Sequence, residues 1–467
     1  GGTFLYQVLC FFSGILVIRA LGQHWYGLWS FIYVFLSFFE NFVRFGLDSI
    51  LTKMVAQDRD QASVILGNAL FLRIVLLGLA IPVGWLIIHF CGYPKEVQWG
   101  FLLASIQLLF SLRTVYETVF RVDLQMIYPV LGNIVKGILN LVLVAWAARY
   151  SPDLYSFIIV TIVSGIIPFL GVSLISMKKI PFWPRFDPAV FLKLFKECLP
   201  LIVSGYLTLF YYRLDVILLS KLKSFEDVGY YGAATKLTES LNIIAVSLMT
   251  SMFPIFSRAF KENKQDFSNL VGKTWTVLLF IALPIAVGGT LSAPQIIDFF
   301  YGARYAPSAL SLAILFWFTF FGHGGIFLVN LLVVCGKQKI DAYISFGLAF
   351  LSLILNFILI PSFSYNGSAL ATTIVEMTGL ILMAVYLFRH PAIQLSFHIP
   401  KGWKIAGLNV LWAMGWWGLL QIRAIPFPVA AASGIFFYFF LAILLRVISL
   451  QTIKDILLYF RRMRSAS

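Results

Sequence analysis

The chain has 467 residues, of which 60% are hydrophobic and 12% charged, and its 35 Lys and Arg against 20 Asp and Glu give a net charge of +15. Mean hydropathy is +0.90, and the charged fraction is about half that of a soluble globular protein. There is too little polar surface to cover two or three soluble domains, so the composition predicts a polytopic membrane protein. Cys10, Cys91, Cys198 and Cys335 stand singly in or beside apolar segments, which argues against a disulfide framework or a zinc cluster. No secretory signal peptide is visible, and Gly1-Gly2 runs directly into an apolar stretch. The natural start is therefore expected upstream, with the first helix directing insertion.

A hydrocarbon core about 30 Å thick takes about 20 apolar residues of helix. In chain order such runs fall near 3–19, 25–47, 64–90, 98–118, 127–148, 154–177, 198–219, 229–256, 274–292, 307–334, 342–360, 368–388, 405–421 and 426–445. Each is far longer than a strand and lacks the alternation of a membrane barrel, so helices are the structure that satisfies its backbone in lipid. The expected fold is an all-α integral membrane protein of about 14 transmembrane helices. Residues 293–306 are expected as an outer loop with an amphipathic piece, and Gly322-His323-Gly324 as a break in the tenth helix. The stretch 178–199, with Pro181, Pro184 and Pro188, looks like a linker, and 450–463 like an amphipathic helix on the inner surface.

Loops after the even-numbered helices, with the C-terminal tail, hold 22 of the 35 basic residues, and the odd-numbered loops hold six. By the positive-inside rule both termini are cytoplasmic. Dispersal over many short loops argues against nucleic-acid binding, which needs a basic face on one module.

The chain also repeats. Gly27-Leu28-Trp29 corresponds to Gly229-Tyr230-Tyr231 and Ala80-Ile81-Pro82 to Ala282-Leu283-Pro284 at an offset of 202, and Ile138-Leu139-Asn140 to Ile354-Leu355-Asn356 at 216. Six helices separate the copies, so they run the same way through the membrane. The expected organisation is a six-helix lobe over 1–177, a linker over 178–197, a second parallel lobe over 198–388, helices 13 and 14 over 389–445, and a cytoplasmic tail over 446–467. Parallel repeats of this kind place a substrate site between the lobes.

Ionisable residues within the spans are expensive and should face a cavity or a partner. Glu40 with Arg44 and Arg113 with Glu117 have i,i+4 spacing, and Lys236 with Glu239 has i,i+3, so each pair can share a helix face. Structural ion pairing is the competing role for all six. Arg73 and Lys136 have no acidic neighbour at helical spacing, which makes them candidate cavity cations for a phosphate or diphosphate. Arg213 and Asp215 lie two apart, so Arg213 can face the cavity while Asp215 addresses a neighbouring helix. Asp215, Glu239 and Glu376 are candidates for coupling a proton or cation, with helix anchoring as the alternative. His323, Asn140 and Asn356 read as hydrogen-bonded scaffold, and Tyr211, Tyr212, Tyr230 and Tyr231 as a cluster on which sugars could stack. No P-loop, HExxH or GxSxG is present, so no enzyme chemistry or direct use of ATP is expected.

Several segments resemble the bacterial polysaccharide transporter family, the O-antigen-type flippases of the multidrug/oligosaccharidyl-lipid/polysaccharide exporter superfamily. They are Ile18-Arg19-Ala20-Leu21-Gly22 with Tyr26-Gly27, Arg213-Leu-Asp-Val-Ile-Leu-Leu-Ser-Lys-Leu222, and Val228-Gly-Tyr-Tyr-Gly-Ala-Ala-Thr-Lys-Leu237. Further along come Met252-Phe-Pro-Ile-Phe-Ser-Arg258, Phe300-Tyr-Gly-Ala-Arg-Tyr305 and Asn366-Gly-Ser-Ala-Leu-Ala371 with Glu376. The resemblance implies flipping of a polyprenyl-diphosphate-linked oligosaccharide to the outer leaflet of the bacterial cytoplasmic membrane by alternating access. It also implies cavity cations at Arg19, Arg44 and Lys236 and recurrent acids at Asp215 and Glu239, whereas Arg73 and Lys136 rest on the residue argument alone. No cofactor is expected beyond a coupling Na+ or H+. A monomer is expected, with a polysaccharide polymerase or ligase as a candidate partner and no nucleic acid. Two alternatives stand beside this reading: a drug or metabolite exporter of the same fold, and a membrane polymerase or glycosyltransferase, against which the short outer loops argue.

Overall fold

The computed structural model describes residues 2–390, 402–422 and 425–445, with Val447. In chain order the helices are α1 (Gly2–Arg44), α2 (Leu47–Gln57), α3 (Ala62–Phe90), α4 (Lys95–Ser105), a 3-10 turn (Ile106–Leu112), α5 (Arg113–Val122), α6 (Ile127–Tyr150) and α7 (Leu154–Lys179). They continue with α8 (Pro188–Leu222), α9 (Phe225–Glu262), α10 (Lys264–Tyr301), a 3-10 turn (Ala303–Tyr305), α11 (Ser308–Val334), α12 (Gln338–Arg389), α13 (Gly402–Leu420) and α14 (Phe427–Leu444). No strand occurs among the described residues, and the fold is all-α as the hydropathy requires. Eleven of the described helical stretches are long and apolar enough to cross a membrane.

The apolar windows fall on these helices. Two helices carry two windows each, and both are interrupted at one residue: α1 at Gly22 (φ 72°, ψ 174°) and α12 at Ser364 (φ 51°, ψ −133°). The Gly22 conformation is essentially open only to glycine. Helix starts follow local chemistry. Asp153 caps α7 by accepting from the Ser156 N–H at 2.8 Å, and Asp187 caps α8 through the Ala189 and Val190 N–H groups, with Pro188 in the first turn.

Three expectations need correction. The stretch after the second window is not all loop, because Leu47–Gln57 forms α2, an amphipathic helix that buries Leu47, Leu51, Met54 and Val55. Residues 293–301, expected as loop, continue α10 to Tyr301, since Ala293, Ile297 and Tyr301 recur at helical spacing and are buried. The tenth window is not broken at His323, for α11 runs unbroken from Ser308 to Val334. Its glycines serve close packing instead, with the Leu380 side chain against Gly324 and the Glu376 carboxylate against Gly325. The expected tail helix at 450–463 lies outside the described residues.

Two compact units are present. The first comprises 1–240, 301–308 and 342–375. Its core includes Phe45, Leu47, Leu51, Leu66, Val119 and Leu194. The irregular stretch before α8 is strapped to α3: Arg185 N–H donates to the Gly67 carbonyl at 3.1 Å and Asp187 N–H to Asn68 Oδ1 at 2.8 Å. Within this unit Gly27 packs against the carbonyl of Phe225, and Gly229 against the carbonyl of Gln23. Both the glycines and the carbonyls are related by the 202-residue offset, so the repeat read in the sequence is also a reciprocal contact.

The second unit comprises the described residues of 241–300, 309–341 and 376–447. Here α13 and α14 are fastened to α10: Trp416 Nε1 donates to Ser292 Oγ at 2.8 Å and Tyr438 OH to the Phe280 carbonyl at 2.9 Å. Gly288 lets α10 approach the Trp412 ring.

Candidate functional site

A cavity of about 180 Å³ opens in the first unit, walled by the second segment of α1, the second half of α8 and the first half of α9. Tyr26, Trp29 and Tyr33 form one wall. Their i, i+3, i+7 spacing puts them on one face of α1. Trp29 lies between the two tyrosines, 5.7 Å and 18° from Tyr26 and 4.3 Å and 35° from Tyr33 between ring centroids and planes. The phenols are anchored. Tyr26 OH donates to the Gly232 carbonyl at 3.4 Å, and Tyr33 OH lies 2.5 Å from Thr161 Oγ1 while accepting from Gln107 Nε2 at 2.6 Å. Trp29 Nε1 is a buried donor with no partner among the described residues.

Arg213, Lys236 and Glu239 carry the charge of the opposite walls. The Arg213 fork is held bidentately by Glu239, Nη1 to Oε1 at 2.9 Å and Nη2 to Oε2 at 3.3 Å, with the two side chains 35% and 40% exposed. Lys236 therefore does not take Glu239 as its partner, despite the i,i+3 spacing; it extends over Gly14 of α1. Among the described residues Lys236 has no ion-pair partner.

Asp215 faces away from the cavity, as the two-residue step from Arg213 requires. It is buried, accepts from Tyr231 OH and, at 3.4 Å, from Thr372 Oγ1, and its Oδ1 accepts the Val216 N–H at 2.7 Å.

The remaining candidates lie elsewhere. Arg73 is wholly buried, and its partner is supplied by α2: Nη2 donates to Asp48 Oδ1 at 2.7 Å, and Nη1 to the Ser111 carbonyl at 2.6 Å and to Thr114 Oγ1. Arg44 bridges Asp48 at 2.6 Å and Glu40 at 3.9 Å, and Arg113 pairs with Glu117 at 2.8 Å. Lys136 on α6 forms no ion pair among the described residues; its charged neighbours include Arg113 and Glu40. Arg19 is exposed on the first segment of α1 and is not among the residues lining the cavity. Glu376 is buried beside Gly322 and Gly325 in the second unit, where His323 Nε2 lies 3.1 Å from the Leu241 carbonyl. Asn140 donates to Ser164 on α7 at 3.3 Å, joining two helices, whereas Asn356 donates to the Ser352 carbonyl of its own helix at 2.8 Å.

Sequence reasoning missed the Tyr26, Trp29 and Tyr33 wall, although its helical spacing was a readable signal. Of Tyr211, Tyr212, Tyr230 and Tyr231, the cluster expected from the sequence, Tyr231 is buried on Asp215 and Tyr230 packs on Tyr305 and Tyr365. No group of three or more His, Cys, Asp and Glu among the described residues could hold a metal ion.

A family model described as "Polysaccharide biosynthesis protein" matches residues 16–310. The chain is 26% identical over 194 residues to the capsular polysaccharide biosynthesis protein CapF of Staphylococcus aureus, covering 41% of this chain and 49% of that one. It is 24% identical over 244 residues to the probable low-salt glycan biosynthesis flippase Agl15 of Haloferax volcanii, covering 50% and 49%. Against the lipid II flippase MurJ of Bacillus subtilis it is 26% identical over 226 residues, covering 43% and 41%. The chain thus spans about half the length, or less, of the curated relatives it matches. Among solved structures, MurJ in an inward closed conformation aligns over 95% of this chain and 98% of its own with a TM-score of 0.81 at 17% identity. An inward-facing MATE multidrug transporter of the MOP superfamily aligns over 81% and 93% with a TM-score of 0.65 at 13% identity. The fold is that of this superfamily.

Proposed function

Because the chain belongs to the polysaccharide biosynthesis protein family, we propose that it is a transporter that flips a polyprenyl-diphosphate-linked oligosaccharide from the inner to the outer leaflet of the bacterial cytoplasmic membrane. The observation that carries this reading is the cavity that sets an aromatic wall opposite an arginine fork. Arginine offers planar donors that match a phosphate bidentately, and aromatic faces suit the C–H faces of sugar rings. The names of two relatives, a glycan biosynthesis flippase and a lipid II flippase, point to the same cargo class.

In this reading the diphosphate engages Arg213 with Lys236 nearby, the first sugar packs on Trp29, and the prenyl tail stays in lipid. The cavity then opens to the two sides of the membrane in turn. Both termini lie in the cytoplasm, and transport draws on a Na+ or H+ gradient, with Asp215, Glu239 or Glu376 taking the coupling ion. Arg19, Arg44, Arg73 and Lys136 are left to anchoring and ion pairing. A polymerase or ligase at the outer face would receive the product. The test is reconstitution in proteoliposomes: Arg213→Gln should slow flipping of a polyprenyl-diphosphate oligosaccharide at least tenfold, about the effect of losing one charged hydrogen bond of 1.5–3 kcal/mol. Wild-type rates for that variant would remove Arg213 from the site.

A further inference from the structure

Glu239 occupies the best anion-binding donors in the cavity. Its carboxylate takes both terminal nitrogens of Arg213 at 2.9 and 3.3 Å, which is the two-oxygen geometry a phosphate would take on the same fork. The pair is not locked away, since the side chains are 35% and 40% exposed within a cavity. One helical turn earlier, Lys236 lines the same cavity with no ion-pair partner among the described residues. At i,i+3 it is within reach of Glu239 by side-chain rotation alone.

We infer that Glu239 is an exchangeable stand-in for the substrate: a lipid diphosphate displaces it from the Arg213 fork, and the freed carboxylate moves to Lys236. This deepens the proposed function and rests on it. The exchange keeps Arg213 and Glu239 paired in both states. With the cavity empty, Glu239 spares Arg213 an unpaired charge in a low-dielectric site, which would be strongly unfavourable. With cargo present, Lys236 prevents the carboxylate from repelling the diphosphate. On release, Glu239 returns to the fork and competes against rebinding, so the pair also favours discharge. Glu239 is thus a positioning residue that sets affinity and release, and it need not touch the cargo.

The experiment measures equilibrium binding of a radiolabelled, sugar-free polyprenyl diphosphate to the full chain in nanodiscs, in a double-mutant cycle. Glu239→Gln should tighten binding about tenfold, since it removes the competing charged hydrogen bonds. In an Arg213→Gln background the same change should have little effect, because there is no fork to compete for. Removing a negative charge from the cavity without competition would instead tighten binding equally in both backgrounds, and that result would overturn the inference. Lys236→Gln should weaken binding in the parent chain but not in the Glu239→Gln chain; equal weakening in both would also overturn it. Should Glu239→Gln not fold, Glu239→Asp breaks the two-point geometry while keeping the charge, and binding tighter than the parent is expected. Failure of the parent chain to bind any polyprenyl diphosphate would refute the proposed function itself, separately from these ratios.

Discussion

Gly27 and Gly229, 202 residues apart, pack reciprocally: the Phe225 carbonyl fills the space of a side chain on Gly27, and the Gln23 carbonyl that of a side chain on Gly229. Backbone sits against backbone at both points, so neither site can yield by a side-chain rotation. Gly27→Val and Gly229→Val should each force the helices apart, at a cost of about 1–3 kcal/mol typical of overpacking. Lower thermal stability of the purified protein and slower flipping are expected. Gly78→Ala on α3, where an added methyl meets nothing within 4 Å, should leave both unchanged or slightly improved.

The wholly buried Arg73 forms an ion pair with the half-buried Asp48, joining α3 to α2. Removing Asp48 strands the wholly buried Arg73, so Asp48→Leu alone should destabilise the protein by about 3–5 kcal/mol. Arg73→Leu leaves Asp48 paired with Arg44 and should cost less, and the double replacement should recover much of the Asp48→Leu loss. Fluorescence-detected size-exclusion after heating checks this. Recovery of folding with retained flipping in the double variant would place the pair in the scaffold; loss of flipping in a well-folded double variant would return it to the site.

Trp29 is the central ring of the aromatic wall. Trp29→Leu should lower flipping of a glycosylated lipid by several-fold relative to its sugar-free counterpart, in line with about 0.5–1.5 kcal/mol for an aromatic contact beyond its area. Trp29→Phe should keep most of that preference. The ratio of the two transport rates is the readout, and an unchanged ratio in Trp29→Leu would remove sugar stacking from this wall.

Much of this architecture was legible because membrane spans announce themselves by length and apolarity, and the interruptions at Gly22 and Ser364 fall between windows already separated by polarity. The Gly27 and Gly229 equivalence was readable for a similar reason, since a close approach admits no substitute side chain. Partnerships between helices were not. Arg73 looked unpaired because its carboxylate comes from α2, 25 residues away in sequence, on an amphipathic helix too short for a hydropathy window. Spacing pairs Glu239 with Lys236, but the competing Arg213 lies on another helix and offers two donors where lysine offers a point charge. The tyrosines near 211 and 231 are adjacent in sequence, but neighbours in a helix point in different directions.

Asp215 is buried and ties α8 to α9 and α12 through Tyr231 and Thr372. Asp215→Asn should abolish stimulation of flipping by a Na+ or H+ gradient while leaving downhill movement measurable. Stimulation equal to wild type would shift the coupling role to Glu239 or Glu376, whose Gln variants are assayed in the same vesicles.

Leaflet-resolved translocation in proteoliposomes identifies the cargo, with a polyprenyl-diphosphate oligosaccharide as substrate, with and without a Na+ or H+ gradient, against drug efflux from the same vesicles. Protein-dependent flipping that Arg213→Gln suppresses, with no gradient-driven drug efflux, is the expected result. Drug efflux without flipping of any of several such lipids would contradict it and make the chain an exporter of the same fold.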